Sequence, residues 1–243
     1  MDQGLATWRG PFIFSCTIAF MLNLLRWFLR RFVNLIADVK VVGLENIPSS
    51  GAFVITTNHL GLLDAALLYY VLERTDVFVP IAEKWEKNAF FRWVAKYANF
   101  VFIDRYNPDI KALRKIIGLM EHGNILVIAP EGTRSLTAQM AEGKLGAGYL
   151  AAKLKRPILP AGIAGTEDKV VGANLKHFRR SKVVISAGKL FSLPPLPMKD
   201  RDAALKQFTD EIMCHIAAEL PEKYRGVYAE HPRLKELLTT ASL

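Results

Sequence analysis

Apolar positions change their spacing along the chain, and the change separates a short leading segment from the rest. From Gly10 to Leu25 (GPFIFSCTIAFMLNLL) no residue is charged, and Arg26, Trp27, Phe28, Leu29, Arg30, Arg31 and Phe32 follow at once. A spanning helix needs about 20 apolar residues, so this run is short for a crossing. No A-x-A-like cleavage site follows it, which counts against a secretory signal. Arg26 and Arg30 share one helical face while Trp27 and its aromatic neighbours cover others. That mixture suits an interfacial helix, with rings at the headgroup boundary and cations on lipid phosphate. Residues 1–37 are therefore expected to be membrane-associating helices. A helix packed on its own domain is the alternative.

From about Val39 the pattern turns into alternating strands and helices. VKVVGL and Ala52–Thr57 read as strands, separated by a Pro-Ser-Ser-Gly turn. Leu62–Glu73 reads as a helix, Val77–Ile81 as a strand, and Asn88–Tyr97 as a short aromatic helix. Phe100–Ile103 follows as a strand and Pro108–His122 as a helix closed by Gly123. Ile125–Ala129 is an all-apolar strand of the kind buried on both faces. A Gly-rich loop leads into a helix over Gly146–Lys155, strands at Ile158–Ile163 and Val183–Ser186, and a last helix over Asp200–Leu220. The alternation predicts one α/β domain over residues 38–243, a mostly parallel or mixed sheet flanked by helices.

Composition narrows the choice of partner. The 243 residues carry 32 Lys+Arg against 23 Asp+Glu, a net charge of +9, and 51% of them are hydrophobic. A disordered chain is excluded. A pI near 9.6 asks for an acidic partner, and a mean hydropathy of +0.17 tilts that choice from nucleic acid towards lipid. The basic run Lys176–Lys182 (KHFRRSK) has no nucleic-acid motif around it and reads as a solvated or lipid-facing loop. Two distant cysteines, Cys16 and Cys214, form no CxxC pair and read as thiols in a reducing compartment.

Three strands end in residues that carry chemistry, and sites in α/β sheets lie beyond such ends. After the first comes Asn58-His59-Leu60-Gly61-Leu62-Leu63-Asp64. In a regular helix five residues turn through about 500° and rise about 7.5 Å, so the two side chains would diverge. They meet only if His59 lies in the loop before a helix and Asp64 in its first turn. Such a pair supplies a base held in one tautomer by a carboxylate. The second strand ends in Ile103-Asp104-Arg105, a cation at a sheet edge or a surface ion pair. The third ends in Pro130-Glu131-Gly132-Thr133-Arg134-Ser135, where Gly132 frees the backbone and Arg134 can clasp phosphate with two parallel hydrogen bonds. Glu131, directly after a buried strand, must be paired or functional. No nucleotide-binding glycine motif, HExxH or GxSxG is present.

In this order NHLGLLD, FIDR, EGTRS and ILPAGI resemble the four sequence blocks of the glycerolipid acyltransferases, with most likeness to bacterial 1-acyl-glycerol-3-phosphate acyltransferases. The resemblance runs over about Val39 to Leu190. Two segments depart from the family pattern: Gly143-Lys144-Leu145-Gly146 holds one lysine of the usual basic pair, and Ala82-Glu83-Lys84-Trp85 replaces a Lys-Lys-Glu-like stretch. The resemblance implies a membrane-surface transfer of a fatty acyl group from a thioester to the free hydroxyl of lysophosphatidic acid, giving phosphatidic acid. His59 would take the hydroxyl proton, Asp64 would orient His59, and backbone N–H groups near Asn58–Gly61 or Gly132–Thr133 would stabilise the oxyanion. Arg105, Glu131, Gly132, Thr133 and Arg134, with Lys84 and Lys144, would bind the acceptor. No metal or resident cofactor is implied, and acyl-CoA or an acyl-carrier protein would be the donor. The expected partners are thus a lysophospholipid, that donor and an anionic membrane surface, on the cytoplasmic face of the cell membrane. The alternatives are another acceptor, such as glycerol 3-phosphate, or a non-catalytic lipid-binding module.

Overall fold

Short apolar runs become strands and many of the longer segments between them become helices in the computed structural model, which describes residues 16–89, 92, 95, 100–104 and 109–241. Helix α1 (Cys16–Ile36) leads straight into β1 (Ala37–Val42). Then come β2 (Val54–Thr57), α2 (Leu63–Val71), β3 (Val77–Ala82), β4 (Phe100–Ile103), α3 (Ile110–Glu121) and β5 (Ile125–Ile128). The order continues with α4 (Leu145–Leu154), β6 (Ile158–Ala164), α5 (Asp168–Lys176), β7 (Ser181–Ala187), α6 (Arg201–Ala218) and α7 (Pro232–Ala241).

The seven strands make one sheet in the order β1-β7-β6-β2-β5-β3-β4. Neighbours are parallel except β6 and β7, which run antiparallel. The carboxyl ends of β6, β2, β5, β3 and β4 therefore share one edge. Central β2 stops early: Thr57 pairs with Ala161, and β6 runs on to Ala164. At about 3.3 Å per residue this leaves a step about 10 Å deep beside the end of β2.

Alternating residues of the strands feed two cores. On one face Val33 and Ile36 of α1, Leu63 and Leu67 of α2, and Ile163, Val183 and Ile185 of the sheet pack together. On the other, Ile116 and Met120 of α3, Leu154 of α4, Ile212 and Ile216 of α6 and Leu234 of α7 cover Val54 and Leu126. Helices thus cover both faces of one mixed sheet, the architecture that the alternation of elements predicts.

Several boundaries differ from the sequence reading. Helix α3 starts at Ile110, with the Asp109 carboxylate accepting from the Ala112 amide at 2.9 Å. The expected aromatic helix over 88–97 and Pro108 fall largely outside the described residues, as does the chain before Cys16. Helices α5 and α7 are absent from the sequence reading. Each is short, and α5 sends only Val171 towards the core.

Helix α1 packs on the domain along one face and exposes apolar residues along another. Its inward residues Val33 and Ile36 are buried, while Leu24, Trp27, Phe28, Phe32 and Leu35 are exposed. No described helix is long and apolar enough to cross a membrane. The expectation that Arg26 reaches lipid phosphate is corrected here. Arg26 Nη1 donates to the Glu73 carbonyl at 2.6 Å and Nη2 donates to that of Arg74, satisfying carbonyls just past the end of α2. Arg30 sits 3.8 Å from the Glu73 carboxylate. The Arg26 guanidinium ties α1 to the chain just after α2. Arg31, stacked 5.5 Å over the Trp27 ring, stays exposed.

Candidate active site

The loop between β2 and α2 carries the first block, and it is shaped by one carboxylate. Asp64 lies in the first turn of α2, where a negative charge suits the helix dipole. Its Oδ2 accepts from the Leu60 and Gly61 amides at 2.8 and 3.0 Å, so the chain wraps around it. That wrapping brings His59 Nδ1 to 2.7 Å from the same oxygen. With three donors around Oδ2, the geometry assigns the imidazole proton to Nδ1 and leaves Nε2 as the free base. The ring is one-third exposed and Asp64 is 8% exposed. Gly61 is needed for close approach: a Cβ there would drive into the Thr166 carbonyl oxygen after β6.

Neighbouring strands hold this loop from three sides. The Asn58 side chain donates to the Ile163 carbonyl and accepts from its amide, both at 2.8 Å, stitching the end of β2 to β6. The loop after β5 grips the His59 backbone. Glu131 Oε1 accepts from the His59 amide at 3.3 Å, and the Ser135 amide donates to the His59 carbonyl at 2.8 Å. From the start of α5, Asp168 Oδ1 accepts from the Leu62 amide at 2.8 Å, while Oδ2 holds Arg134 Nη1 at 2.5 Å. Asn58 and Asp168 were not among the sequence candidates. Asn58 stood next to His59, which was the available signal, whereas nothing local marks Asp168.

Glu131 departs from the role expected for it. It is 2% exposed, and its second oxygen accepts from the Ala141 amide at 2.9 Å. Burial pushes its carboxyl above the usual carboxylate range, against the pull of the Ala141 and His59 amides. A carboxylate closed off in this way positions His59 and cannot receive a substrate hydroxyl. The expected oxyanion donors are also redistributed, because the His59, Leu60 and Gly61 amides are spent on Glu131 and Asp64. After Gly132, whose φ of +71° sets the turn, the Thr133 and Arg134 amides donate to no group among the described residues.

Lys144 and Lys84 lie along the same edge. Lys144 precedes α4, and its stem passes the α-carbon of Gly132. Lys84 lies in the turn after β3 with its ammonium 5.4 Å from the Trp85 ring centroid. Arg105 lies outside the described residues, but β4, which precedes it, ends on this edge. The fold thus brings the His59–Asp64 pair, the Glu131–Ser135 loop and Asp168 together, with Lys84 and β4 further along.

A family model described as Acyltransferase matches residues 38–164. The chain belongs to the Acyltransferase family. The matched span holds every block described above, from β1 to the end of β6. Among individual relatives, a 1-acyl-sn-glycerol-3-phosphate acyltransferase of Bacillus subtilis is 28% identical over 185 residues, 74% of this chain and 88% of that one. One from Chlamydomonas reinhardtii is 28% identical over 195 residues, covering 79% of this chain and 56% of the relative. Among solved structures, the 1-acyl-sn-glycerophosphate acyltransferase PlsC of Thermotoga maritima matches with a TM-score of 0.62 and 27% identity, over 80% of this chain and 77% of that one.

Proposed function

We propose that this acyltransferase moves a fatty acyl group from an acyl thioester to the free hydroxyl of lysophosphatidic acid, giving phosphatidic acid at a membrane surface. The observation that carries the reading is the His59–Asp64 pair, which leaves Nε2 as the ring's free base and is held by two neighbouring loops. The acceptor names printed for the relatives support the choice of lysophosphatidic acid.

His59 Nε2 takes the hydroxyl proton as the oxygen attacks the thioester carbonyl. The new C–O bond forms a tetrahedral oxyanion, for which the Thr133 and Arg134 amides are the uncommitted donors. Collapse breaks the C–S bond, and the imidazolium returns its proton to the departing thiolate. Throughout, Asp64 stabilises the charged ring. The acceptor oxygen is itself the nucleophile, so no acyl-enzyme is required.

Arg105 and Arg134 would hold the acceptor's phosphate, with Lys84 and Lys144 adding charge on the same edge. Asp168 keeps Arg134 from folding away while leaving other N–H groups of its fork for the ligand. The donor would be acyl-CoA or an acyl-carrier protein. The proposal includes a site on the cytoplasmic face of the cell membrane, with α1 as the membrane-contacting segment.

Transfer of a radiolabelled acyl group to a panel of acceptors tests the reading. Lysophosphatidic acid should be acylated well above glycerol 3-phosphate and monoacylglycerol, and His59→Ala should abolish transfer while the protein stays folded. Near-normal turnover by that variant would defeat the mechanism, and preference for another acceptor would reassign the substrate.

A further inference from the structure

The basic run Lys176–Lys182 is not used by the acyl-transfer site, and the fold gives it a definite place. It forms the turn between α5 and β7. Ser181, where β7 starts, pairs with Ala37, where β1 leaves α1. The turn therefore lies beside the end of α1, on the sheet edge that holds the site. Its backbone is firmly built: Asn174 accepts the His177 and Arg179 amides at 3.1 and 2.8 Å, and its side chain donates to Ser181 Oγ at 3.0 Å. Arg180 donates from Nε and Nη2 to the Ala37 carbonyl at 3.1 and 2.6 Å, pinning the turn to the helix end.

At the tip Phe178 has φ +53° and is 100% exposed. A bulky side chain in the left-handed region is uncommon, and here it holds a large apolar ring in water. Lys176, Arg179 and Lys182 flank it in the chain, exposed and with no carboxylate partner among the described residues. An apolar ring among unpaired cations matches a bilayer surface bearing anionic headgroups. It also adds cations to what α1 offers. That helix shows an apolar and aromatic face with Arg31 exposed beside it, while Arg26 is committed to the carbonyls after α2.

We infer that the 176–182 turn is a second membrane contact, Phe178 entering the interface and Lys176, Arg179 and Lys182 binding anionic lipid headgroups. With α1 it gives two points of attachment beside one sheet edge, which turns the site towards the bilayer. The binding stands on the turn's own chemistry, while its use in presenting a lipid acceptor rests on the function proposed above.

Co-sedimentation of the full chain with phosphatidylcholine vesicles, with or without phosphatidylglycerol, tests it. Replacing both Lys176 and Arg179 by Gln should weaken binding to the anionic vesicles roughly tenfold or more, with little change on neutral ones. Phe178→Ala should weaken both several-fold. A polarity-sensitive dye on Phe178→Cys, in a Cys16→Ser background, should shift to the blue on anionic vesicles. In neutral detergent micelles all variants should transfer acyl groups at the parent's rate, which shows that they fold. If the parent itself transfers nothing while the vesicle results hold, the proposed reaction fails and this contact stands. Unchanged vesicle binding by the double variant, or a dye that stays in water, overturns the contact. A defect seen only with an acidic carrier-protein donor overturns it too, and assigns the turn to protein docking.

Discussion

Replacing Asp64 by Asn separates orientation from charge at the proposed base. Oδ2 receives three donors, from Leu60, Gly61 and His59, whereas Oδ1 is buried and accepts nothing among the described residues. An asparagine must therefore keep its oxygen at the Oδ2 position, because an NH₂ there would face three N–H groups. The imidazole keeps its tautomer and loses the negative charge, while the new NH₂, buried at the Oδ1 position without an acceptor, costs stability that the unfolding control registers. Two estimates bound the cost. Exchanging a charged for a neutral hydrogen bond loses about 1–2 kcal/mol. Direct attraction across about 4 Å at an effective dielectric near 20 is about 4 kcal/mol. Turnover should fall between about tenfold and a thousandfold. The charge matters most once the ring is protonated, so KM for donor and acceptor should hardly move. Asp64→Ala should lose more, and lose stability as well, because the Leu60 and Gly61 amides are left unpaired. The assay is steady-state release of free thiol, with thermal unfolding as the control. A kcat within threefold of the parent for folded Asp64→Asn would refute the role given to Asp64.

Asp168→Ala should free Arg134 and loosen the start of α2, raising KM for lysophosphatidic acid and lowering kcat by about tenfold together; an effect on donor KM alone would contradict this. Arg105→Ala and Arg134→Ala should each cut kcat/KM for lysophosphatidic acid roughly ten- to a hundredfold and leave monoacylglycerol acylation unchanged. If both acceptors respond alike, there is no phosphate clamp. Deleting residues 1–37 would strip Val33 and Ile36 from the core, so membrane binding is better probed by Trp27→Ala with Phe28→Ala and Phe32→Ala, which should weaken vesicle binding without lowering the melting temperature. Glu131 and Glu211 should act oppositely in urea titrations across pH. Burial raises the Glu131 carboxyl, so its stabilising contribution is complete at acid pH and is lost as pH rises through the raised value. Glu131→Gln should therefore gain on the parent towards neutral pH. Glu211 is held at about 2, first by the hydrogen bond with His215 and then by Arg233, with burial opposing. Its contribution is present above the ordinary carboxylate range and lost on acidification, so Glu211→Gln should flatten the acid loss. Slopes of the reverse sign would refute either assignment.

Much of the fold was legible because its strands are short, apolar and bounded by turn residues. β5 and β6 are buried along almost their whole length, as strands of a sheet covered on both faces are, and the helical period of α1 and α3 shows in the chain itself. The His59–Asp64 contact could also be framed in advance, since helix geometry forbids it unless the chain wraps as it does. What the sequence could not determine depends on groups far apart along it. Glu131 looked like a ligand until two backbone amides closed over it, and Arg26 looked like a lipid contact until Glu73 and Arg74 presented their carbonyls. The antiparallel return of β7 could not be read because strand direction leaves no local mark. That return sets Ser181 beside Ala37 and carries the basic turn to the end of α1. Periodicity reports which face of an element is buried. Which donor meets which acceptor across the sheet is decided by tertiary packing, where most buried polar groups find a partner.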